Sequence, residues 1–256
     1  MSEYLRILII VCPLIGLAGF IDAIAGGGGL ISLPAYLLSG LPAHTAHGTG
    51  KFSSACGLAS ASYKYLKEGT VRMSVALYSA LGCLAGAYIG TSLAIFLPEK
   101  TLRMVMLIAI PIVAVFLATK KDIGTNVSEV KLDKTKEAVL SAVIGLVVGI
   151  YDGLIGPGAG TFLILGFTSF LGIDLVMSSA CAKVSNFASN ITSVVLYALR
   201  GNILYHVAVP AALCSMLGSY MGAKQAVKGG SARVKKMMYV VLVLLFVKLA
   251  YDLFMG

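Results

Sequence analysis

The 256-residue sequence contains little charge, with 12% charged residues, eleven acidic residues and three histidines, and it has no tryptophan. Soluble domains carry about 25% charged and 45–50% apolar residues. This chain is 58% hydrophobic, with a mean hydropathy of +0.93, which excludes a water-soluble globule. Long apolar stretches at 71–96, 102–118 and 234–254 can cross a bilayer. We therefore predict an all-α polytopic membrane protein that forms one integral membrane domain.

Cysteine and histidine, the common soft metal ligands, are few and scattered. The five cysteines lie singly inside apolar segments, which argues against a disulfide framework or a metal site. His44 and His47 have a metal-compatible spacing, but two ligands do not close a zinc site. No phosphate-binding or dinucleotide motif accompanies the glycine runs. We therefore expect no metal and no cofactor.

The 20 Lys and Arg residues give a net charge of +9, yet they lie mostly in short segments between apolar stretches. They carry no nucleic-acid-binding motif and no interleaved aromatic residues, so we expect no nucleic-acid partner. The N-terminal apolar run continues into Gly26–Gly29 without a small-residue cleavage site, so we expect it to be retained as the first helix. The positive charge therefore indicates membrane topology.

The chain contains an internal repeat. A shift of 132 residues places Lys51 on Lys183 and Tyr65 on Tyr197, and a shift of 130 places Asp22 on Asp152. Each aspartate is followed by a glycine-rich break. We interpret this as two homologous halves, 1–134 and 135–256, with a cytoplasmic linker at 120–134.

Glycine interrupts the apolar segment with which each half begins. The apolar arms 7–21 and 138–151 precede the breaks, and shorter apolar arms follow them. Adjacent glycines discourage a continuous helix, and we expect these arms to be shorter than the roughly 17–25 residues of a full span. The segment therefore either crosses the membrane once as a broken helix or returns as a re-entrant hairpin.

The positive-inside rule favours the hairpin. A returning segment places thirteen basic residues on one face and four on the other, whereas a single crossing divides them ten to seven. Each half then holds one re-entrant Gly-rich hairpin and three transmembrane helices. Each half then crosses the membrane an odd number of times, so the two halves have opposite orientations in the membrane. They are therefore inverted repeats, and both termini lie outside. Inverted repeats with interrupted helices are typical of secondary transporters, although an ancient duplication in a structural protein or a channel is an alternative.

Lys51 and Lys183 lie well inside the apolar segments 43–66 and 176–199. A lysine near the bilayer centre costs about 2.5–3.5 kcal/mol, so each either faces a cavity or snorkels to the surface. Two ammonium groups among hydroxyls and amides form an anion site, although such polar residues also join helices. The rest of the predicted binding set is Thr49, Ser53, Ser54, Ser185, Asn186 and Asn190, with backbone donors at Gly28, Gly29, Gly158 and Gly160.

Asp22 and Asp152 are acids at matched positions in apolar surroundings. Three roles are open for them: binding protons or sodium, pairing with the lysines, and capping the helices that restart after the breaks. His47 is a further candidate for proton coupling, or a buried histidine without such a role. These three residues form the predicted coupling set.

Two pairs of motifs resemble the TauE/SafE family of membrane exporters. They are Ala18–Pro34 with Gly48–Lys51, and Gly149–Phe162 with Ala182–Asn186. The resemblance covers essentially the whole chain. It implies export of sulfite or of small organosulfonates such as sulfoacetate from the bacterial cytoplasm, and hence a place in the inner membrane.

We therefore predict a secondary exporter of a small anion that works by alternating access at a midplane site between the repeats. The expected partners are the anionic solute and the lipid bilayer. The driving force is either an ion gradient, in the first place of protons, or the solute gradient itself, and a homodimer is left open. The alternatives are a passive anion channel and an intramembrane enzyme that uses the paired aspartates.

Overall fold

The computed structural model describes residues 3–119 and 132–255, and all regular structure within them is α-helical. The predicted all-α class is therefore confirmed. In chain order the helices are α1 (Glu3–Ala25), α2 (Gly29–Leu38), α3 (Ala43–Lys67), α4 (Met73–Phe96), α5 (Glu99–Thr119), α6 (Lys134–Leu154), α7 (Ala159–Leu171), α8 (Leu175–Leu199) and α9 (Tyr205–Met255).

The order of helix types is the same in the two parts of the chain. A long helix (α1 or α6), a glycine break, a short helix (α2 or α7) and a helix of 25 residues (α3 or α8) follow one another. The chain then continues through α4 and α5, or through α9, which non-helical Gly230 divides into two arms. Residues 120–131, most of the predicted linker, lie outside the described residues.

Three helices in the described part of the chain are long and apolar enough to cross a membrane: Ile7–Ala25, Met73–Phe96 and Lys134–Leu154. Two of these belong to α1 and α6, which have 23 and 21 residues. The expectation that the arms 7–21 and 138–151 are too short to span is therefore wrong. The helices continue past Asp22 and Asp152, and a lysine from another helix pairs with each carboxylate.

The chain reverses direction at the first glycine break. Gly26 and Gly27 have φ angles of 74° and 95°, which residues with a Cβ rarely adopt. A Cβ on Gly28 would lie 2.6 Å from the carbonyl oxygen of Ala18, ten residues earlier in the chain. The start of α2 therefore lies beside the last turns of α1.

The two glycine breaks contact each other in the centre of the helix bundle. A Cβ on Gly26 would overlap the backbone of Thr161, and a Cβ on Gly29 would lie 3.0 Å from Cα of Pro157. The Thr161 hydroxyl donates a hydrogen bond to the carbonyl of Ala25 at 3.1 Å. The breaks thus form one central structure to which both parts of the chain contribute.

Glycines allow two pairs of helices to pack at very short distances. The most extensive packing joins α4 to α6 and α1 to α9. On α4 and α6, glycines recur at every fourth position, and a Cβ on each would approach the other helix closer than 3.0 Å. Such small residues let helix backbones approach in a membrane. The glycines are Gly82, Gly86 and Gly90 on α4, and Gly145, Gly149 and Gly153 on α6.

The outer faces of these helices carry exposed apolar side chains, among them Leu77 and Leu81 on α4, Val143 and Val147 on α6, and Leu217 on α9. In water such a surface would drive aggregation. In a bilayer it contacts lipid chains. The polar side chains are instead concentrated between the helices, where the site is found.

We expect Gly86→Ala to destabilise the fold and Gly16→Ala to leave it as stable as the wild type. The new methyl group at position 86 would overlap the carbonyl oxygen of Leu146, whereas at position 16 the nearest atom, Cys214 O, lies 3.5 Å away. Overpacking of this kind costs about 1–3 kcal/mol. The measurement is the apparent melting temperature of the purified protein in detergent, and equal values for the two variants would contradict the packing described.

Candidate functional site

A pocket that encloses about 680 Å³ of space, including the part open to solvent, lies where the two glycine breaks meet. Its wall includes residues of α1, α3, α8 and α9 and the breaks themselves. Eleven of the residues singled out from the sequence line it: Asp22, Gly28, Gly29, His47, Lys51, Ser54, Asp152, Gly158, Gly160, Asn186 and Asn190. Local patterns in the sequence therefore converge on one place in the fold.

Two ion pairs connect the parts of the chain at this pocket. Lys51 Nζ lies 2.8 Å from Asp152 Oδ2 and also donates to the carbonyl oxygen of Asp152 at 2.7 Å. Lys183 Nζ lies 3.2 Å from Asp22 Oδ2. Each lysine thus pairs with the aspartate that stands before the other glycine break. The structure displays pairing with lysine, one of the roles left open, for both aspartates, and Asp22 also accepts a hydrogen bond from Gly28 at the start of α2.

The Asp152 carboxylate is enclosed by donors. Its Oδ2 atom accepts hydrogen bonds from the Ser189 hydroxyl and, at 3.2 Å, from Asn190 Nδ2, in addition to the ammonium of Lys51. The side chains of Lys51 and Asp152 are only 5% and 4% exposed. Sequence reasoning missed Ser189, although it lies three residues after Asn186 and hence on the same face of α8. The Lys51–Asp152 pair is therefore held by neutral groups as well.

The Asp22 carboxylate has fewer partners. Its Oδ1 atom accepts a hydrogen bond from the backbone N–H of Gly28 at 3.0 Å, so that amide is already engaged within the protein. At the positions equivalent to Ser189 and Asn190, α3 carries Gly57 and Leu58, which offer no side-chain donor. The side chain of Asp22 is 18% exposed, while Lys183 behind it is 0% exposed. The two ion pairs are therefore not equivalent.

Four residues of the predicted binding set do not line the pocket. Lys183 lies behind Asp22. The hydroxyl of Thr49 accepts from the backbone N–H of Leu204 at 3.1 Å. The hydroxyls of Ser53 and Ser185 bond to Tyr36 on α2 and Ser79 on α4. These hydroxyls join helices, which is the alternative role of polar residues in a membrane bundle.

Two matched tyrosines and two serines complete the surroundings of the site. The Tyr65 hydroxyl donates to the carbonyl of Ala23 at 2.8 Å, and the Tyr197 hydroxyl lies 3.0 Å from Nδ1 of His47. Ser215 and Ser219 on α9 line the pocket. Neither serine could be singled out from the sequence, because serine is common as a packing residue in apolar helices.

The ion pairs bring two positive and two negative side chains together, so the site is formally neutral. Within the described residues, no group of three histidine, cysteine or acidic side chains could hold a metal ion. The groups available to a ligand are ammonium, amide and hydroxyl donors, together with one partly exposed carboxylate. This set of groups suits a small polar or ionic solute.

The apolar helices and the pocket at their centre define a polytopic α-helical membrane protein. The family model described as "Sulfite exporter TauE/SafE" matches residues 11–249. Because the match covers nearly the whole chain, the protein belongs to the TauE/SafE family.

Curated relatives extend over almost the whole chain. The chain is 32% identical over 236 residues to a probable membrane transporter protein, ORF9, of Sinorhizobium sp, covering 92% of this chain and 89% of the relative. It is 31% identical over 235 residues to a probable membrane transporter protein of Haemophilus influenzae, covering 92% and 91%. It is also 29% identical over 236 residues to the probable membrane transporter protein YfcA of Escherichia coli K12, covering 92% and 87%. No solved structure significantly matches the chain.

We expect Lys51→Met to destabilise the protein more than Lys183→Met. The first substitution leaves the buried Asp152 carboxylate without a cation, whereas Asp22 is 18% exposed and keeps its bond from Gly28. Removing one partner of a buried pair costs about 3–5 kcal/mol. The measurement is the apparent melting temperature in detergent.

The matched control is the double variant Lys51→Met/Asp152→Asn, which removes the unpaired charge. It should recover part of the loss in melting temperature. If the double variant melts no higher than Lys51→Met alone, the lost stability does not come from an uncompensated carboxylate.

Proposed function

We propose that the protein is a secondary transporter that exports a small anion, either sulfite or an organosulfonate such as sulfoacetate. In this proposal it works by alternating access at a site between the halves 1–134 and 135–256. The observation that carries the proposal is the crossed pairing of Lys51 with Asp152 and Lys183 with Asp22 at a pocket between two glycine breaks. Charged groups inside a membrane protein mark a pathway for ions or solutes.

The pattern of helix contacts supports a two-fold relation between the halves. α4 packs on α6 as α1 packs on α9, and α3 contacts α9 as α4 contacts α8. Each contact recurs after exchange of the halves, which is what an internal two-fold axis produces. With the excess of basic residues on one predicted face, this favours inverted repeats, with both termini outside and the 120–134 segment in the cytoplasm. The proposal includes a location in the bacterial inner membrane.

The positions of the breaks support the re-entrant hairpins. Lys51 and Lys183 each lie eight residues after the first residue of α3 or α8. At 1.5 Å per residue this is about 12 Å along helices of about 37 Å. The ion pairs hold the aspartates at the breaks level with these lysines, not with the helix ends. In the proposed transporter the breaks therefore lie inside the membrane, where irregular backbone is tolerated because it lines a cavity.

Lys51 and Asn186 each offer a donor to an anion in this pocket. The ammonium of Lys51 has three protons, and Asp152 accepts two of its bonds, through Oδ2 and the backbone carbonyl. A carboxylate accepts but does not donate, so Asn190 presents its NH₂ group to Asp152 and also to Oδ1 of Asn186. Because Oδ1 of Asn186 is engaged, its NH₂ group is left as a donor. It lies close to Gly160 at the pocket wall.

The charge balance of the site supports proton coupling. The four side chains sum to zero, so an entering anion adds an uncompensated negative charge. Protonation of Asp22 would remove one negative charge and free Lys183 for the solute. Asp22 is suited to this because it is partly exposed and has the longer ion pair, 3.2 Å against 2.8 Å. The alternative of an intramembrane enzyme that uses the paired aspartates is disfavoured. Such an enzyme needs two carboxylates that share a proton, whereas here each carboxylate pairs with its own lysine.

We expect Lys51→Ala/Lys183→Ala to abolish sulfite and sulfoacetate transport. The double variant removes both ammonium groups from the site, and the charge-assisted bonds they provide are lost. The measurement is uptake of labelled solute by liposomes that contain the purified protein. Lys64→Ala is the matched control, because Lys64 lies on α3 but pairs with the exposed Glu68.

Transport by the double variant at the wild-type rate would contradict the site. A passive channel is distinguished in the same liposomes by counterflow: unlabelled solute trapped inside should accelerate entry of labelled solute through a carrier. Flux that neither saturates nor shows counterflow would contradict alternating access.

We expect Asp22→Asn to make solute uptake insensitive to an imposed pH gradient, because an amide cannot exchange a proton at the pocket. The measurement is the ratio of initial uptake rates with and without the gradient. Asp174→Asn is the matched control, since Asp174 is an exposed acid that caps α8 through bonds from Val176 and Met177, a role that asparagine also fills. A gradient response in Asp22→Asn equal to that of the wild type would place the coupling group elsewhere.

A further inference from the structure

One ring nitrogen of His47 is left without a partner at the wall of the pocket. His47 lies on α3, one helical turn before Lys51, and is only 4% exposed. Its Nδ1 atom is 3.0 Å from the Tyr197 hydroxyl, but its Nε2 atom is buried and has no hydrogen-bond partner in the described structure. A Cβ on Gly156 would lie 3.4 Å from Nε2 and 3.7 Å from Nζ of Lys51. The free nitrogen and the ammonium therefore face the same corner of the pocket.

The Tyr197 hydroxyl determines which ring nitrogen carries the proton. Tyr197 is completely buried, and its hydroxyl proton needs an acceptor. Among the residues that the structure describes, that acceptor is Nδ1 of His47. A neutral imidazole that accepts at Nδ1 carries its proton on Nε2. The ammonium of Lys51 one turn away disfavours a second positive charge on the ring, so the group facing the pocket is a neutral N–H donor.

The equivalent position in the second half shows that this donor is specific to His47. Ser179 stands 132 residues after His47. Its hydroxyl donates to the carbonyl of Ile24 at 3.0 Å, and it also lies 3.3 Å from the hydroxyl of Tyr65, the counterpart of Tyr197. The second half therefore has the same tyrosine contact but no unused donor. The Nε2–H donor of His47 therefore has no hydrogen-bond partner within the described structure, although Nδ1 of the same ring bonds to Tyr197.

We propose that the Nε2–H group of His47 donates a hydrogen bond to an oxygen of the bound oxyanion, next to the ammonium of Lys51. Tyr197 is the positioning residue that fixes the ring in the donating tautomer. This inference rests on the proposed anion transport and adds a specificity determinant to it. The Nε2–H group of His47 donates and does not accept. It therefore favours binding of a deprotonated oxygen of a sulfite or sulfonate group over an oxygen that carries a proton.

The test compares His47→Gln, His47→Phe and Tyr197→Phe with the wild type in detergent, using sulfite and sulfoacetate as probes in calorimetric titrations. Glutamine places an amide N–H near the position of Nε2, so its affinity should stay within about threefold of the wild type. Phenylalanine keeps the ring but removes the donor and should weaken binding about tenfold or more. The affinity of Tyr197→Phe should lie between those of His47→Gln and His47→Phe, since the His47 ring then populates both tautomers.

A second readout does not depend on transport or on binding affinity. Nitrogen NMR of ¹⁵N-histidine-labelled protein, with His47 assigned by comparison with His47→Gln, reports the tautomer directly. We expect Nε2 to be protonated in the wild type, both tautomers to be present in Tyr197→Phe, and the Nε2 signal to shift when sulfite is added.

The outcomes separate this inference from the proposed function. Wild-type affinity in His47→Phe, or a proton on Nδ1 of the wild-type ring, would overturn the role of His47 while anion transport stands. If neither probe binds the wild type and liposomes transport neither, the proposed function fails, and the donor role fails with it.

Discussion

The structure depends on compensation of charge inside an apolar bundle. Two lysines and two aspartates lie among helices whose outer surfaces are apolar, and none of the four is stable there alone. Each finds its counter-ion on a helix of the other half. The halves are thus joined at the centre by electrostatic attraction, and glycines let the backbones approach closely enough for the pairs to form. The pocket exists because the glycine breaks that follow the two aspartates leave space between the helices.

The two ion pairs are built from equivalent positions but have different surroundings. Asp152 receives bonds from Ser189 and Asn190 as well as from its lysine, whereas α3 carries Gly57 and Leu58 at the positions equivalent to Ser189 and Asn190. The two ion pairs thus differ because α3 and α8 carry different residues at equivalent positions. Both carboxylates line the pocket, but Asp152 is almost fully enclosed whereas Asp22 is partly exposed. His47 and Ser179 also occupy equivalent positions with different surroundings. The Ser179 hydroxyl has hydrogen-bond partners, whereas Nε2 of His47 has none in the described structure.

Local features of the sequence predicted the glycine breaks, the helices that follow them and the concentration of polar residues at one place. These follow from hydropathy, helix periodicity and glycine chemistry, which act over short stretches of chain. The lengths of α1 and α6 were underestimated because their last turns contain an aspartate whose neutralising partner is more than 100 residues away in sequence. The same non-local pairing explains why Lys183 lies behind Asp22. Which hydroxyls face the pocket depends on the rotation of each helix about its axis, and tertiary packing sets that rotation.

The packing of α4 on α6 and of α1 on α9 has a consequence for how such a protein changes shape. Each of these closely packed pairs takes one helix from each half, so the halves are interlocked and cannot separate as rigid bodies. In the proposed transporter, the units that move relative to one another would therefore each contain helices from both 1–134 and 135–256. The boundary between these units would not coincide with the boundary between the proposed repeats. A half synthesised as a separate polypeptide would find its partner surface only by assembling with the other half.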